Sequence, residues 1–412
     1  MNSGFSPAEV SALLNLPVLA EHAQQASFLW LQRERAAAAP HYRLRHLGSL
    51  DERLQAHLQA LRLAGPTGLR LARRQLGEID AGSLFVAAWL GFSLADREAM
   101  SDAVAIAGAD ASLPAVLVQA LAWQDLDALQ PALHRLGHSP SAAHRTLALA
   151  VRVAHREAAS DPIAQALHDT DPALRAQALR AVGTLGLARL RQAVESAVHD
   201  PDPACRFWAH WTCALAGDAA AAERAYDAGV AASQTGPALE IAMRAGPLDG
   251  ARALVRRLAS DPATQRLAVV AAGDLGDPAV APWLLQLCED DALGRAAAEA
   301  FSQMTGIDLE EPQFRRDAPD LPGDEHPDDS DGRWTGADAL RRWWHEERHR
   351  FRAGVRHLGG QPVSEAAAVQ VLRSGTQRQR HGAALELLRL RPDGMLFPVT
   401  ARADLQRQRL AA

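Results

Sequence analysis

The sequence contains no lysine and few of the residues that β-strands prefer. All 43 basic residues are arginine, aromatic residues make up only 5% of the 412 residues, and Ala and Leu dominate. Because strands favour aromatic and β-branched residues whereas Ala and Leu favour helices, this composition argues against a fold built on sheets. We therefore expect an all-α protein, in which the 29 Gly and 23 Pro residues separate many short helices.

Cysteine and long apolar runs are also scarce. The three cysteines, Cys205, Cys213 and Cys288, form an odd and sparse set that argues against a disulfide framework and fits a reducing compartment. No apolar run approaches the length of about 18 residues that a membrane span needs. Met1 to Val10 lack the basic and apolar regions of a secretion signal. We expect a cytoplasmic protein without a membrane span.

A repeat of similar length occupies the middle of the chain. The glycines Gly186, Gly217, Gly246, Gly276 and Gly306 follow one another at spacings of 31, 29, 30 and 30 residues. Alanine recurs six times in the same register, and these residues are Ala148, Ala178, Ala209, Ala238, Ala268 and Ala298. Three copies begin with Asp-Pro, at Asp171-Pro172, Asp202-Pro203 and Asp261-Pro262, and a fourth begins at Asp291.

The repeat has the features of stacked helical hairpins. Asp accepts hydrogen bonds from free N–H groups at a helix start, and Pro fits the first turn. Small Ala side chains let neighbouring helices approach closely, and Gly provides a left-handed helix end. One hairpin cannot bury its own apolar face, but stacked hairpins can. The pattern predicts such a stack, most clearly over residues 140–310.

The run from Asp171 to Gly186 resembles the HEAT-repeat consensus, with Asp-Pro, an arginine, spaced alanines and a closing Leu-Gly. The resemblance implies a right-handed α-solenoid of HEAT-like helical hairpins. It also implies a ladder of Asp and Arg side chains along the stack, interrupted at Thr235 and Gln265. The expected ladder residues are Asp171, Arg175, Asp202, Arg206, Asp291 and Arg295.

Composition divides the chain into four segments. Residues 1–75 form a helical N-terminal segment outside the repeat register, and residues 76–310 hold the repeats. Residues 311–334 are acidic and contain Pro and Gly, which predicts an exposed loop or linker. Residues 335–412 form an Arg-rich helical segment with 14 Arg against seven acidic residues. This surplus is either a patch for nucleic acid or an acidic partner, or a surface balanced by the neighbouring acidic loop.

The whole chain also resembles a proteobacterial family of HEAT-repeat proteins. The resemblance is carried by Phe28-Leu29-Trp30, by the run from Met304 to Leu309 and by a C-terminal tail that contains Phe397. Members of that family are sometimes associated with type VI secretion loci. The resemblance implies an accessory, adaptor or immunity-like role, and it transfers no functional residue.

One motif has the form of a zinc hydrolase site. In the run from His345 to His349, both histidines would share one face of a helix, and Glu346 would be the general base. The charged interior of the motif, Glu347 and Arg348, argues against a buried zinc helix. The possible third ligands, none with a recognisable spacing, are His357, Glu365 and His381.

A second group, Cys205, His210 and Cys213, lies within one repeat helix. Its cysteines would be about 12 Å apart along a helix, too far to share one zinc ion, so we expect buried packing residues. The sequence has no phosphate-binding loop and no nucleophile motif. It therefore predicts a non-enzymatic protein-interaction module without a cofactor. Nucleic-acid binding through residues 335–412 and a zinc hydrolase at His345, Glu346 and His349 are the alternatives.

Overall fold

A computed structural model describes residues 15–77, 80–317 and 334–411, which form two compact units. The described part of unit 1 comprises residues 15–37, 45–77, 80–159 and Thr400–Arg409. The described part of unit 2 comprises Ala38–Leu44, 160–317, 334–399 and 410–411. Both units therefore contain helices of the predicted repeat region. Unit 2 also contains most of the Arg-rich C-terminal segment.

Unit 1 begins with long helices and continues with short helical hairpins. Its helices are α1 (Leu16–Ala38), α2 (Leu44–Leu63), α3 (Pro66–Arg74), α4 (Ala81–Ser93), α5 (Arg97–Ala109), α6 (Pro114–Ala122), α7 (Leu126–Gly137) and α8 (Ala142–Ala154). Helix α4 packs against α6, and α6 packs against α8, so these three form one layer. Asp80, Asp96 and Asp125 cap the starts of α4, α5 and α7. Helical hairpins are thus present in this unit from residue 81 onward.

Unit 2 contains the remaining hairpins and a C-terminal helix pair. Its helices are α9 (Ser160–Ala166), α10 (Pro172–Leu185), α11 (Arg191–Ser196), α12 (Pro203–Leu215), α13 (Ala219–Ala231), α14 (Thr235–Ala245), α15 (Leu248–Ala259), α16 (Gln265–Leu275), α17 (Ala281–Leu287), α18 (Gly294–Thr305), α19 (Ala337–Glu347), α20 (Glu365–Ser374) and α21 (Gln377–Leu390). Two short antiparallel strands, β1 (His357–Leu358) and β2 (Gln361–Pro362), precede α20. The last helix, α22 (Ala403–Ala411), begins in unit 1.

Alternate helices of unit 2 form one continuous layer. Helix α10 packs against α12, and the contacts continue through α14 and α16 to α18. Five of the six repeat alanines lie on these helices, where the helices approach one another, and the sixth, Ala148, lies on α8 of unit 1. All six are at most 2% exposed. The predicted all-α solenoid of HEAT-like hairpins is confirmed by this arrangement. Across the described ranges, no helix combines the length and the apolar character that crossing a bilayer requires.

The predicted helix caps are present at the majority of the repeat positions but not at all of them. Gly186, Gly276 and Gly306 end their helices with positive φ angles of 62°, 63° and 73°. Gly246 instead has φ −69° and ψ 159°. Pro247 follows it, and a residue before proline is driven into the extended region by the proline ring.

Two repeat helices begin later than their acidic residues indicate. Asp261 lies in a turn and accepts a hydrogen bond from the N–H of Ala263, and α16 begins only at Gln265. In the next repeat, Asp290 rather than Asp291 accepts from the N–H groups that precede α18. The carboxylates in both places stabilise the loop before the helix instead of the helix itself.

Most of the predicted acidic loop lies outside the described residues. The structure does not describe residues 318–333, which include its Asp cluster. On either side, Pro312–Phe314 form a 3₁₀ turn, and Arg315 forms a β-bridge with Thr335.

A buried ion pair connects the two ends of the chain inside unit 1. The Nε of Arg33, a side chain only 1% exposed, donates to Oδ1 of Asp51 over 3.1 Å. The other carboxylate oxygen of Asp51 accepts from the N–H of Ala403 at 2.7 Å, and Nη2 of Arg33 donates to the carbonyl of Ala401. Burial raises the pKa of Asp51, although Arg33 and the Ala403 N–H act in the opposite direction. The pair therefore holds the start of α22 at a cost in desolvation.

We expect Asp51→Ala to destabilise unit 1 by about 3 kcal/mol, because it removes the buried carboxylate from Arg33 and leaves only the partly exposed Glu34 as a countercharge. The midpoint of urea or thermal unfolding measures this loss. Asp404→Ala is the matched control, since its carboxylate is 56% exposed where it pairs with Arg402, and it should cost about 1 kcal/mol or less. Equal effects of the two substitutions would contradict the role assigned to the buried pair.

Candidate functional site

The arginines of the predicted ladder bind the loop before their own helix. Nη1 of Arg175 donates to the carbonyls of Asp169 and Thr170 at 3.0 and 3.1 Å. Nη1 of Arg206 donates in the same way to the carbonyls of Asp200 and Pro201, both at 2.8 Å. Each guanidinium thus satisfies carbonyl groups five and six residues before it. This local contact is the part of the pattern that repeats.

One arginine also reaches the next repeat. Nε and Nη2 of Arg175 donate to the two carboxylate oxygens of Asp200 at 3.0 and 2.9 Å. The expected ladder aspartates have another role, because Asp171 and Asp202 each accept from an N–H group in the first turn of their own helix. In the last repeat, Asp291 is exposed, and the Arg295 guanidinium lies 4.6 Å from the centre of the Trp334 ring.

Sequence reasoning missed Asp200, although a signal for it exists. Asp169 precedes Asp171 by two residues, and Asp200 precedes Asp202 by two, so Asp-x-Asp-Pro occurs twice. In both copies the first Asp accepts from the N–H of the second at 2.9 Å. The first Asp shapes the turn, and at Asp200 it is also the carboxylate that contacts the preceding repeat.

The environment of Asp200 favours its charged form. Burial raises the pKa of its carboxyl group, but hydrogen bonds from Arg175 and from the Asp202 N–H outweigh burial and hold the pKa below its usual value. A carboxyl group whose pKa falls on folding contributes stability above its unfolded pKa of about 3.9. That contribution disappears as the pH falls through the folded value.

We therefore expect Asp200→Asn to lower stability by about 1–3 kcal/mol at neutral pH, since a charge-assisted pair is lost. The difference in stability between this variant and the parent protein should shrink as the pH drops below about 4. Thermal midpoints measured across that range test this. Asp161→Asn, at a side chain 94% exposed, is the control and should show little difference at any pH. A gap that stays constant or widens in acid would count against the pairing.

The cysteine and histidine group of α12 lies in the protein interior. Cys205 and Cys213 are buried, and the Sγ of Cys205 lies 3.3 Å from the carbonyl oxygen of Pro172. Burial raises the pKa of Cys205 to about 12 and that of Cys213 to about 11. Burial also lowers the pKa of His210, so both kinds of side chain are held in their neutral forms. These side chains are packing residues of the repeat layer.

All three thiols should react slowly in the native protein, because the thiolate is the reactive form and burial suppresses it. The pKa of Cys288 is likewise raised to about 12 by burial. With a disulfide reagent at mildly alkaline pH, we expect labelling to be slower than in the unfolded chain by roughly a hundredfold or more. The same protein in guanidinium chloride is the control and should react at three sites. Fast labelling of any native thiol would contradict the buried placement.

The zinc-type motif spans the end of a helix. His345 and Glu346 are exposed on α19, which ends at Glu347, and a 3₁₀ turn covers Arg348–Arg350. The ring of His349 is bonded through Nδ1 to the carbonyl oxygen of Glu346 at 2.8 Å. The two histidines are therefore not presented together on one α-helical face.

Two of the three possible third ligands are engaged elsewhere. His357 is buried and bonded through Nδ1 to the Val355 carbonyl, and Glu365 forms an ion pair with Arg391. Burial lowers the pKa of His381 to about 4. Within the ranges that the structure describes, no three His, Cys, Asp or Glu side chains are placed to hold a metal ion.

The C-terminal segment of unit 2 covers the carboxyl ends of the repeat helices. A helix ends in carbonyl groups without partners and carries a partial negative charge there. The N–H of His357 donates to Gly276 of α16 at 2.7 Å, and the N–H groups of Gly359 and Gly360 donate to Gln303 and Met304 of α18. In the same way, the N–H of Leu396 donates to Thr184 of α10 at 2.8 Å. The segment therefore supplies hydrogen-bond donors to the carbonyl groups at these helix ends.

Arginine and glycine make this arrangement possible. Nε and Nη2 of Arg356 donate to the carbonyls of Met243 and Gly246 at the end of α14, at 3.1 and 2.6 Å. A Cβ on Gly186 would collide with the carbonyl of Gly394, so glycine is needed there for close approach as well as for the left-handed turn.

Many arginines of residues 335–412 have partners within the protein. Five pair with carboxylates of unit 2, and these pairs are Arg341–Glu289, Arg350–Glu347, Arg378–Glu299, Arg389–Glu386 and Arg391–Glu365. Arg380 is fully buried and donates to the carbonyl of Leu372. A phosphate-binding surface needs exposed cationic groups. Arg341 and Arg378 pair with carboxylates of the repeat region, whereas the other three pairs lie within the segment itself, so these arginines already have partners.

Unit 1 contains an open groove between α5 and α7. Its volume is about 820 Å³. Its lining side chains come from both helices, from the end of α4 and from the start of α8, and they include Phe92, Arg97, Met100, Val104, Leu136 and His144. On α5, the lining positions recur three or four residues apart, so that one apolar stripe of the helix faces the groove.

The rim of this groove carries unpaired positive charge. Arg97 and Arg135 are exposed, and neither forms an ion pair with any residue that the structure describes. His138 and His144 complete the rim, and their Nδ1 atoms are bonded to His134 and Ser139. No carboxylate lines the groove. The groove therefore has an apolar floor and a positively biased rim.

A smaller cleft in unit 2 differs in its electrostatics. It has a volume of about 320 Å³ and is lined by Trp343, glycines of the β1–β2 turn and several charged residues. Asp308 in this cleft pairs with Arg43 at 2.7 Å, and Arg350 pairs with Glu347 at 2.7 Å. Because these charges already have partners, the groove of unit 1 is the better candidate for binding.

The stacked hairpins define an α-solenoid. Residues 160–229, from α9 into α13, match the family model for HEAT repeats, which confirms HEAT repeats in this part of the chain. No curated protein matches the sequence.

Proposed function

We propose that the protein is a non-enzymatic scaffold that binds another protein through the groove between α5 and α7. The observation that carries the proposal is the combination of an apolar floor with unpaired arginines on the rim of an open groove. HEAT repeats commonly hold protein partners along an exposed helical surface. In unit 2, the carboxyl ends of the repeat helices are covered by the chain's own C-terminal segment, whereas the groove of unit 1 is open.

The absence of an enzymatic role is part of the proposal. It is supported by thiols whose raised pKa values keep them protonated and by a zinc-type motif divided by a helix end. Resemblance to the proteobacterial HEAT-repeat family extends the proposal to a cytoplasmic adaptor or accessory protein of a type VI secretion system. That extension depends on the resemblance of the sequence alone.

Capture from native lysate, with quantitative mass spectrometry, tests the proposal. We expect one protein in stoichiometric amount with the parent chain, and a loss of about tenfold or more with Val104→Asp. The introduced carboxylate lies in the open groove, where it would have to be desolvated by a bound partner.

Val230→Asp is the matched control, because Val230 is also on a helix and is 48% exposed, but in unit 2. It should capture the partner as the parent does. Capture of the same proteins by all three chains, or of none by the parent, would count against the groove as the binding site.

A further inference from the structure

The shape of the groove in unit 1 fits a helix of a partner. One wall is the α5 stripe of Arg97, Met100 and Val104, and the other is the α7 stripe of Ala132, Arg135 and Leu136. Helices of 13 and 12 residues define walls about 18–20 Å long at 1.5 Å per residue. A groove of this length accommodates roughly three turns of a helix that inserts one apolar stripe.

The floor of the groove selects aliphatic side chains. Met100, Val104 and Leu136 are partly buried, and Ala132 is buried, so they form an apolar strip that remains open to solvent. Phe92 is only 8% exposed and offers little ring surface for stacking. Recognition of unpaired bases usually depends on exposed aromatic rings, which this lining does not provide. The floor is instead complementary to Leu, Ile, Val or Met side chains.

The charges around the groove select for acidic residues. The nearby carboxylates of α5, Glu98 and Asp102, are both engaged by Arg73 at 2.9 and 2.5 Å, and neither lines the groove. The exposed guanidinium groups of Arg97 and Arg135 therefore have no acidic neighbour in the groove. A helix with Asp or Glu on both sides of its apolar stripe would place carboxylates beside them.

We infer that the groove binds an acidic amphipathic helix of a partner protein, with apolar residues at i, i+3, i+4 and i+7 and carboxylates along their flanks. The inference rests on the proposed function and adds the chemistry of the partner. Its basis is the match between an aliphatic strip with two unpaired arginines and a helix of the opposite charge.

Peptide display tests the inference with a defined probe. A random library of peptides of about 16 residues, long enough for roughly four helical turns, is selected on the full chain. The Val104→Asp chain serves for counter-selection. We expect the enriched peptides to be negatively charged and to carry the helical apolar spacing. Neutral or basic peptides, or no enrichment over the Val104→Asp chain, would overturn the inference.

Charge reversal then tests the electrostatic part. The affinity of the consensus peptide, measured by fluorescence anisotropy, should fall by about tenfold or more with Arg97→Glu plus Arg135→Glu, and should weaken with added salt. Arg74→Glu plus Arg256→Glu makes the same change in net charge at exposed positions outside the groove and should leave the affinity within about twofold. Equal losses in both double variants would mean that overall charge, and not this groove, attracts the peptide.

The outcomes separate the inference from the proposed function. Peptides that require Val104 but are not acidic would leave the groove as a protein-binding site and overturn its acidic specificity. The arginine reversals can also be tested on a partner captured from lysate. If Val104→Asp abolishes its capture but the arginine reversals do not, the acidic specificity is overturned and the groove remains the binding site.

Discussion

The unpaired carbonyl groups at the carboxyl ends of stacked helices are the constraint on which much of unit 2 depends. Stacking aligns these ends along one edge, where their partial negative charges also accumulate. The C-terminal segment supplies donors to this edge, with the N–H groups of His357, Gly359, Gly360 and Leu396 and the guanidinium of Arg356. The segment is therefore held on the repeats by hydrogen bonds that the repeat helices themselves require.

The use of arginine as the only basic residue suits the contacts that this solenoid makes with carbonyl and carboxylate groups. A guanidinium group has five donors in a fixed plane, so one side chain can satisfy carbonyls and a carboxylate together. Arg175 does so with Asp200 and the loop carbonyls. Arg244 uses the same fork on two carboxylates in the interior of unit 2, where Nη2 donates to Asp274 at 2.7 Å and Nε donates to Glu240 at 3.2 Å. The ammonium group of lysine lacks this planar fork.

The two units differ in the surfaces that they leave available for binding a partner. In unit 2, the edge formed by the helix ends is covered, and Asp308 and Arg350 of its described cleft already have ion-pair partners. In unit 1, the groove between α5 and α7 has apolar residues open to solvent and arginines without carboxylate partners. Surfaces that combine an apolar strip with unused charge are suited to recognition, because both features gain from a bound partner.

The sequence alone determined the helical composition, the repeat register and many of the helix ends. These features are local, since Asp171 and Asp202 cap helices that start one residue later and the left-handed turn at Gly186 ends its own helix. The later start of α16, after Asp261, is likewise set by a hydrogen bond within one loop. Such patterns can be found by counting along the chain.

Only the tertiary structure decided which side chains meet across the repeats. The partner of Arg175 is Asp200 and not Asp202, because the loop before α12 brings the earlier carboxylate to the neighbouring repeat. Arg356 contacts Met243, more than a hundred residues away, and Val104 joins Leu136 in a groove only because α5 and α7 are adjacent. These contacts depend on how helices stack, and residues distant in sequence carry no local signal of that arrangement.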